Sequence, residues 1–439
     1  LWELTLEKKV IGSQMNSKVL PTNQTNLRLR SITFNDVVLF CIFFIYEDYA
    51  CLISYDIILP MGLRPSDLGV LLAIAWSVYV FLRVRGQRHS RVYVIIPFVF
   101  AFISTVASAL QAFLVLGQPL LWGILPFRRM YAAMLFAIAI VYALRSGIVS
   151  RDNLIKTLYL VAIVELCLYT LQALLASSIS FLAVSTSEVR FGMARLRVPF
   201  LLPMLMGIYS FHTYLDSWHK DNVRVVLHLF FAIWTVLFVA LICQHRAPTI
   251  ILLLSYLVAI LISRGSASTK VLATLAALLL AVGIAATPMI QSSLQALGGD
   301  TSSASQNSLT IRADGHEYYL ERLQSSPVFG YGWPNSNYLP ATTAAGETYK
   351  YYTVDNGIFG LAYMLGIVGC VWIAILYAGA LRRSWLVRHS VGGWLFQYFL
   401  FETGNLYMGL HWFYYYPMPF MIALAILDYD YGETLHGRR

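Results

Sequence analysis

Apolar runs close to the roughly 20 residues that a helix needs to cross a bilayer recur along this chain from one end to the other. A backbone inside hydrocarbon must satisfy its own N–H and C=O groups, so runs of that length are expected to be helices. Composition agrees: 58% of residues are hydrophobic and 12% charged, more apolar than a soluble domain of 439 residues needs to fill its core. The expected fold is all-α and polytopic, with about twelve transmembrane helices and one large external loop. The spans are expected near 37–60, 67–82, 92–116, 124–145, 153–175, 198–216, 223–243, 248–263, 270–287, 356–380, 392–409 and 413–428. No fixed-period repeat is visible, and the two halves do not read as copies of each other.

Loop charge sets the expected orientation, because Lys and Arg are retained on the cytoplasmic side during insertion. Ten basic residues fall in one set of alternating loops: Arg64, Arg128, Arg129, Arg190, Arg195, Arg197, Arg246, Arg312, Arg322 and Lys350. The other 21 of the 31 fall in the set that begins with the N-terminal tail. Both termini are therefore expected inside. Residues 1–36 read as a polar cytoplasmic tail, 37–288 as the first nine spans, 289–354 as an external loop, and 355–439 as the last three spans with a short cytoplasmic tail. The net charge of +9 calls for no nucleic-acid partner, since cytoplasmic loops facing the lipid bilayer account for most of it. The five cysteines lie inside or at the ends of expected spans, where they behave as small apolar residues, and imply no disulfide framework.

The external loop is the least membrane-like part of the chain. Gln291 to Asn307, rich in Ser, Gln, Gly and Ala, reads as a loose segment, and Leu309 to Gln324 as a short helix. Helical spacing would set Arg312, His316, Tyr319 and Leu323 on one face. Pro327 and the glycines of Gly330-Tyr331-Gly332 end that helix, and Pro334 to Tyr352 reads as a loop over the membrane mouth. A second external segment, Ala176 to Arg197, is Ser-rich and then basic.

Arginine suits a phosphate or pyrophosphate, because its planar fork donates parallel charge-assisted hydrogen bonds and stays protonated. Arg190, Arg195, Arg197, Arg246 and Arg312 lie on the face that disfavours them and are candidate ligands for an anionic headgroup; snorkelling to the interface is the plain alternative. Asp355 is the candidate general base, with an N-cap role as its plain alternative. Glu47, Asp48 and Glu165 fall inside expected spans, where pairing with arginines is the favoured reading and a proton relay the other. His245, His316 and His411 lie near the outer face without metal-site spacing, so no metal is assigned, and no cofactor motif is present. Tyr331, Trp333, Tyr338, Tyr351 and Tyr352 offer ring faces that could stack on sugars, although packing is the commoner role of any single one.

Three elements carry a resemblance. These are Gln244-His245-Arg246-Ala247; Arg312 followed by Pro327 and Gly330-Tyr331-Gly332; and Asp355-Asn356 followed by Gly366-Ile367-Val368-Gly369. In them the chain resembles the O-antigen polymerase and ligase superfamily, the Wzy-type and WaaL-type membrane glycosyltransferases. The elements are similar to that family's Ser-Arg element, its Arg and then Pro-x-x-Gly-x-Gly pattern, and its His-Asn element followed by Gly-x-x-Gly. Asp355 stands where ligases commonly carry histidine, which leans the resemblance toward a polymerase.

The resemblance implies a multi-pass enzyme of the bacterial inner membrane with its active site facing the periplasm. It would transfer glycan from an undecaprenyl-type polyprenyl diphosphate to a sugar hydroxyl acceptor in surface polysaccharide or lipopolysaccharide biosynthesis, without metal or nucleotide. Arg246, Arg312 and Asp355 would be its catalytic residues, and Arg190, Arg195, Arg197, His316, Tyr331 and Trp333 would bind substrate. A chain-length regulator protein would be a further partner. The alternatives are an O-antigen ligase acting on a lipid A-core acceptor and a transporter of lipid-linked oligosaccharide.

Overall fold

The computed structural model describes residues 33–53, 65–85, 92–176, 179–184, 189–190, 193–217, 222–287, 290–291, 304–389, 392–407 and 409–436. The chain divides into Leu1–Phe34, nearly all of it outside the described residues, and a body, Asn35–Arg439, to which everything below refers.

Among the described residues the body is all-α apart from an antiparallel ribbon of two two-residue strands, Val189–Arg190 with Met193–Ala194. Among the described residues six helices are long and apolar enough to cross a membrane: Ile95–Leu116, Leu120–Arg145, Arg151–Leu175, Val223–Ile242, Ala267–Ala285 and Thr353–Leu386. Phe34–Tyr46 and Arg246–Ile262 are apolar but shorter. Twelve spans are therefore not reached by length and composition, because several expected spans are short helices, such as Leu201–Ser217 and Gly393–Asn405.

The centre is held by α1 (Arg128–Arg145) and α2 (Pro417–His436). Small residues at 132, 133, 137, 139 and 143 let α1 approach its neighbours closely, and all five alanines are buried. Helix α2 is apolar on every side from Met418 to Leu427 and buried throughout that stretch, the signature of a helix enclosed by others. Ion pairs fasten its far end. Arg145 meets Asp428 at 2.7 Å, and Arg151 grips Asp430 through two bonds of 2.8 and 3.0 Å. Ser150 caps Arg151–Leu175 by accepting from the Asn153 amide at 3.2 Å, as its place before an apolar run suggests.

Three expectations change. The first span does not run over 37–60: its helix stops at Tyr46, and Asp48 to Cys51 follow with four consecutive left-handed φ angles of 50 to 60°. Two adjacent carboxylates at the negative end of a helix oppose its continuation, and Arg129 draws Asp48 aside at 3.4 Å. Residues 54–60 of that expected span lie outside the described residues. Secondly, the helix expected over Leu309 to Gln324 is longer, Ala304–Ser325, so the end of the stretch expected to be loose is helical; 292–303 lie outside the described residues. Thirdly, Pro334 to Tyr352 is not a bare loop. It holds a helix, Leu339–Ala344, and a 3-10 turn, Glu347–Tyr349, with Ala341, Thr342 and Ala345 buried beneath.

Candidate active site

The Pro-x-x-Gly-x-Gly run explains how the insert is held. Helix α3 (Gly357–Leu386) is broken at Gly366, which adopts φ 63° and ψ −162°. A break inside a membrane bundle strands backbone groups, and these need partners from elsewhere. Residues 327–332 supply them. Tyr331 and Gly332 amides donate to the carbonyls of Tyr363 (2.8 Å) and Met364 (2.9 Å), while Ile367 and Val368 amides donate to those of Pro327 (2.8 Å) and Val328 (3.2 Å). Ser108 donates a further bond to the Met364 carbonyl. Gly330 and Gly366 make this approach possible, since a Cβ on either would stand 2.7 Å from the other's amide nitrogen. In this chain the run is thus a backbone splice between loop and helix.

Beside the splice, helix α4 (Ala304–Ser325) lies against the turn Thr353–Asn356. A Cβ at Gly315 would sit 2.9 Å from the Asn356 side-chain oxygen, so glycine lets that helix close on the turn. Tyr319 is buried, and its hydroxyl donates to the carbonyl of Tyr351 (2.9 Å) or Ala345 (3.1 Å). It anchors the cover and leaves the ligand face to Arg312 and His316. His316 stacks on Phe359 at 4.2 Å and meets the exposed Tyr407, whose hydroxyl is 3.4 Å from Nδ1. Burial and the Arg312 charge lower its pKa.

Asp355 is exposed in the 3-10 turn. It does not cap α3, because the cap position falls to Asn356, whose side-chain amide donates instead to the Tyr352 carbonyl at 2.7 Å. His411 approaches from another segment. A Cβ at Gly409 would touch both its Nε2 (3.2 Å) and the Val354 carbonyl (3.3 Å). His411 lies 5.7 Å from His245, ring to ring, and Phe200 packs against both, at 4.5 Å from His245 and 5.2 Å from His411. Close packing lowers the His411 pKa to about 4, with Asp355 acting in the opposite sense and Arg312 in the same one. His245 is lowered by burial, by His411, and by the charges of Arg195, Arg312 and Arg197. Both rings are thus neutral near pH 7.

Arg195 and Arg197 arrive on the strand-like segment before Leu201–Ser217. Its Leu196 amide donates to the Ile242 carbonyl (3.1 Å), and Arg195 Nε to that of Cys243 (3.1 Å). Arg246 is the first residue of helix α5 (Arg246–Ile262) and follows His245 directly, half-buried. The Tyr415 phenol, 47% exposed, lies in the fields of Asp355 and Arg197.

Five separate segments therefore bring Arg195, Arg197, Arg312, Asp355, His245 and His411 to one face. Arg246 is beside them by sequence. The side chain of Arg190 lies outside the described residues. Tyr331 and Trp333 are not brought to this face: Tyr331 is buried and stacked on Tyr363 at 5.2 Å, and Trp333 packs edge-on against Phe127 at 5.2 Å. The acids flagged in the spans form a separate cluster. Asp48 pairs with Arg129, whose guanidinium lies over the Tyr46 ring at 5.0 Å, while Glu47 and Glu165 are buried near them. Tyr415 and Phe200 carried no local signal of a role in the sequence, and His411, noted there only as lying near the outer face, gains a place in the site through tertiary approach alone.

Chemically, the face offers guanidinium groups for a multiply charged anion, an exposed carboxylate to take a proton, and two neutral imidazoles. No curated protein matches the chain. Residues 231–374, about a third of it, match the family model described as O-Antigen ligase. That segment spans Gln244 to Arg246, Arg312, the splice loop and Asp355, so the match supports the resemblance of this chain to the O-antigen polymerase and ligase superfamily.

Proposed function

We propose that the chain polymerises polyprenyl-diphosphate-linked oligosaccharide repeat units at the periplasmic face of the bacterial inner membrane. A hydroxyl oxygen of the acceptor sugar attacks the anomeric carbon of the donor glycan. The bond from that carbon to the diphosphate breaks, its electron pair leaves with the diphosphate, and the hydroxyl proton passes to Asp355. Arg195, Arg197, Arg246 and Arg312 stabilise the charge that develops on the leaving group, the task a preorganised site performs best. They supply that counter-charge without calling on a metal. Positioning of two lipid-tethered or glycan-tethered partners lowers the remaining barrier.

The observation that carries this reading is the convergence of arginines and one exposed carboxylate from four segments on one face. The matched family's description favours a second reading, ligation of finished glycan to a lipid A-core acceptor, with the same donor and a different hydroxyl. Purified protein supplied with a polyprenyl-diphosphate oligosaccharide separates the two. A ladder of lengthening chains is expected; transfer only when a lipid A-core acceptor is added would replace polymerisation by ligation, and no transfer in either mixture would sink both.

A further inference from the structure

The turn before α5 contains a residue with no structural task. Gln244 adopts φ 52°, a left-handed conformation that is costly for an L-residue and that Gly or Asn would take more cheaply. The residue is 5% exposed, yet neither its side-chain amide nitrogen nor its amide oxygen has a hydrogen-bond partner. Each such orphan is unfavourable, and buried carboxamides are normally paired.

The turn does not need that amide. It follows a π-helical stretch, Phe238–Ile242, and closes through main-chain bonds from Cys243 to Phe238 (3.0 Å) and from His245 to Val239 (3.1 Å). The Cys243 carbonyl is taken by Arg195. What remains is a strained residue with an unpaired donor and acceptor, between the residue that holds one arginine and the His245-Arg246 pair. Strain and unmet polar groups concentrate where a ligand completes the structure.

Resting on the donor proposed above, we infer that Gln244 reads the sugar bonded to the diphosphate, its carboxamide donating to one hydroxyl and accepting from a neighbouring one. Sugar hydroxyls both donate and accept, so they match a group that offers one of each. The arginines take the diphosphate, which every donor carries, and Gln244 distinguishes what is attached to it. The amide is sealed from solvent, so pairing requires the left-handed turn to shift as the donor enters, and relief of its strain favours that shift.

The test is equilibrium binding of the purified full chain in lipid nanodiscs to two probes, bare polyprenyl diphosphate and the same lipid carrying one sugar, alongside thermal denaturation. Gln244→Gly removes both strain and amide; Gln244→Met keeps the size and removes only the amide. Both variants are expected to melt no lower than wild type, to bind the bare lipid as wild type does, and to bind the sugar-bearing lipid on the order of tenfold more weakly. Should one variant fail to fold, the other decides. Equal weakening toward both probes would overturn the inference in favour of a role through the arginines, and a lower melting temperature with unchanged binding would make Gln244 structural. If wild type binds neither lipid, the donor assignment itself fails and takes this inference with it.

Discussion

At the scale of single residues, Asp355 shows how a bland role and a chemical one come apart. A cap would need a side-chain bond to the first turn of α3, but the cap position is Asn356 and Asp355 stands exposed beside it. Asp355→Asn should therefore leave stability within about 0.5 kcal/mol, as exposed substitutions usually do. Loss of the proton acceptor should lower turnover by roughly a hundredfold or more. Thermal denaturation and initial rates on one preparation check both halves; wild-type turnover would leave Asp355 without a chemical role. The arginines were legible in the sequence because positive charge on the face expected to disfavour it stands out against the insertion rule, and Asp355 because it opens the apolar span that follows the insert. Ring-bearing residues were not. Tyr331 and Trp333 looked available for sugars, but composition does not reveal that each ring is packed against another. His411 became part of the site only because the segment after Gly393–Asn405 folds back against Val354.

At the scale of elements, the broken helix and its splice loop make glycine identity consequential at two positions and indifferent at others. Gly366→Ala would place a methyl group against the Val328 carbonyl at a φ of 63°, so a loss of more than about 2 kcal/mol is expected. Gly379 lies in a regular part of the same helix, with nothing nearer its virtual Cβ than Arg383 Nη2 at 3.6 Å. Gly379→Ala should be neutral or stabilising by up to about 1 kcal/mol, from helix propensity alone. Melting temperatures of the two variants check this, and equal behaviour would argue against the splice. The sequence announced the helix and the glycines but not their bonding, since periodicity reports which face is apolar and says nothing of where unpaired backbone groups go. The same limit made the cover over Pro334 to Tyr352 read as a loop, although Tyr318 and Tyr319 tie it down through the carbonyls of Ala344, Ala345 and Tyr351.

At the scale of the whole molecule, the all-α membrane class was legible from hydrophobic run length, whereas the number of spans was not, because short helices enclosed by others resemble lipid-facing ones in composition. Loop charge predicts that the insert faces outward and the turn before Ala267–Ala285 inward. With the five native cysteines replaced, Ser336→Cys should react with an impermeant thiol reagent in intact cells and Ser268→Cys only after lysis. Both side chains are exposed, so equal labelling would reverse or abolish the proposed topology.

The splice also has a consequence for the order of assembly. The chain that completes α3 lies before it in the sequence, so during synthesis residues 327–332 are made ahead of the helix whose gap they fill. Their glycines and carbonyls are waiting when the break arrives, and the exposed backbone that would otherwise meet hydrocarbon has partners at the moment it needs them.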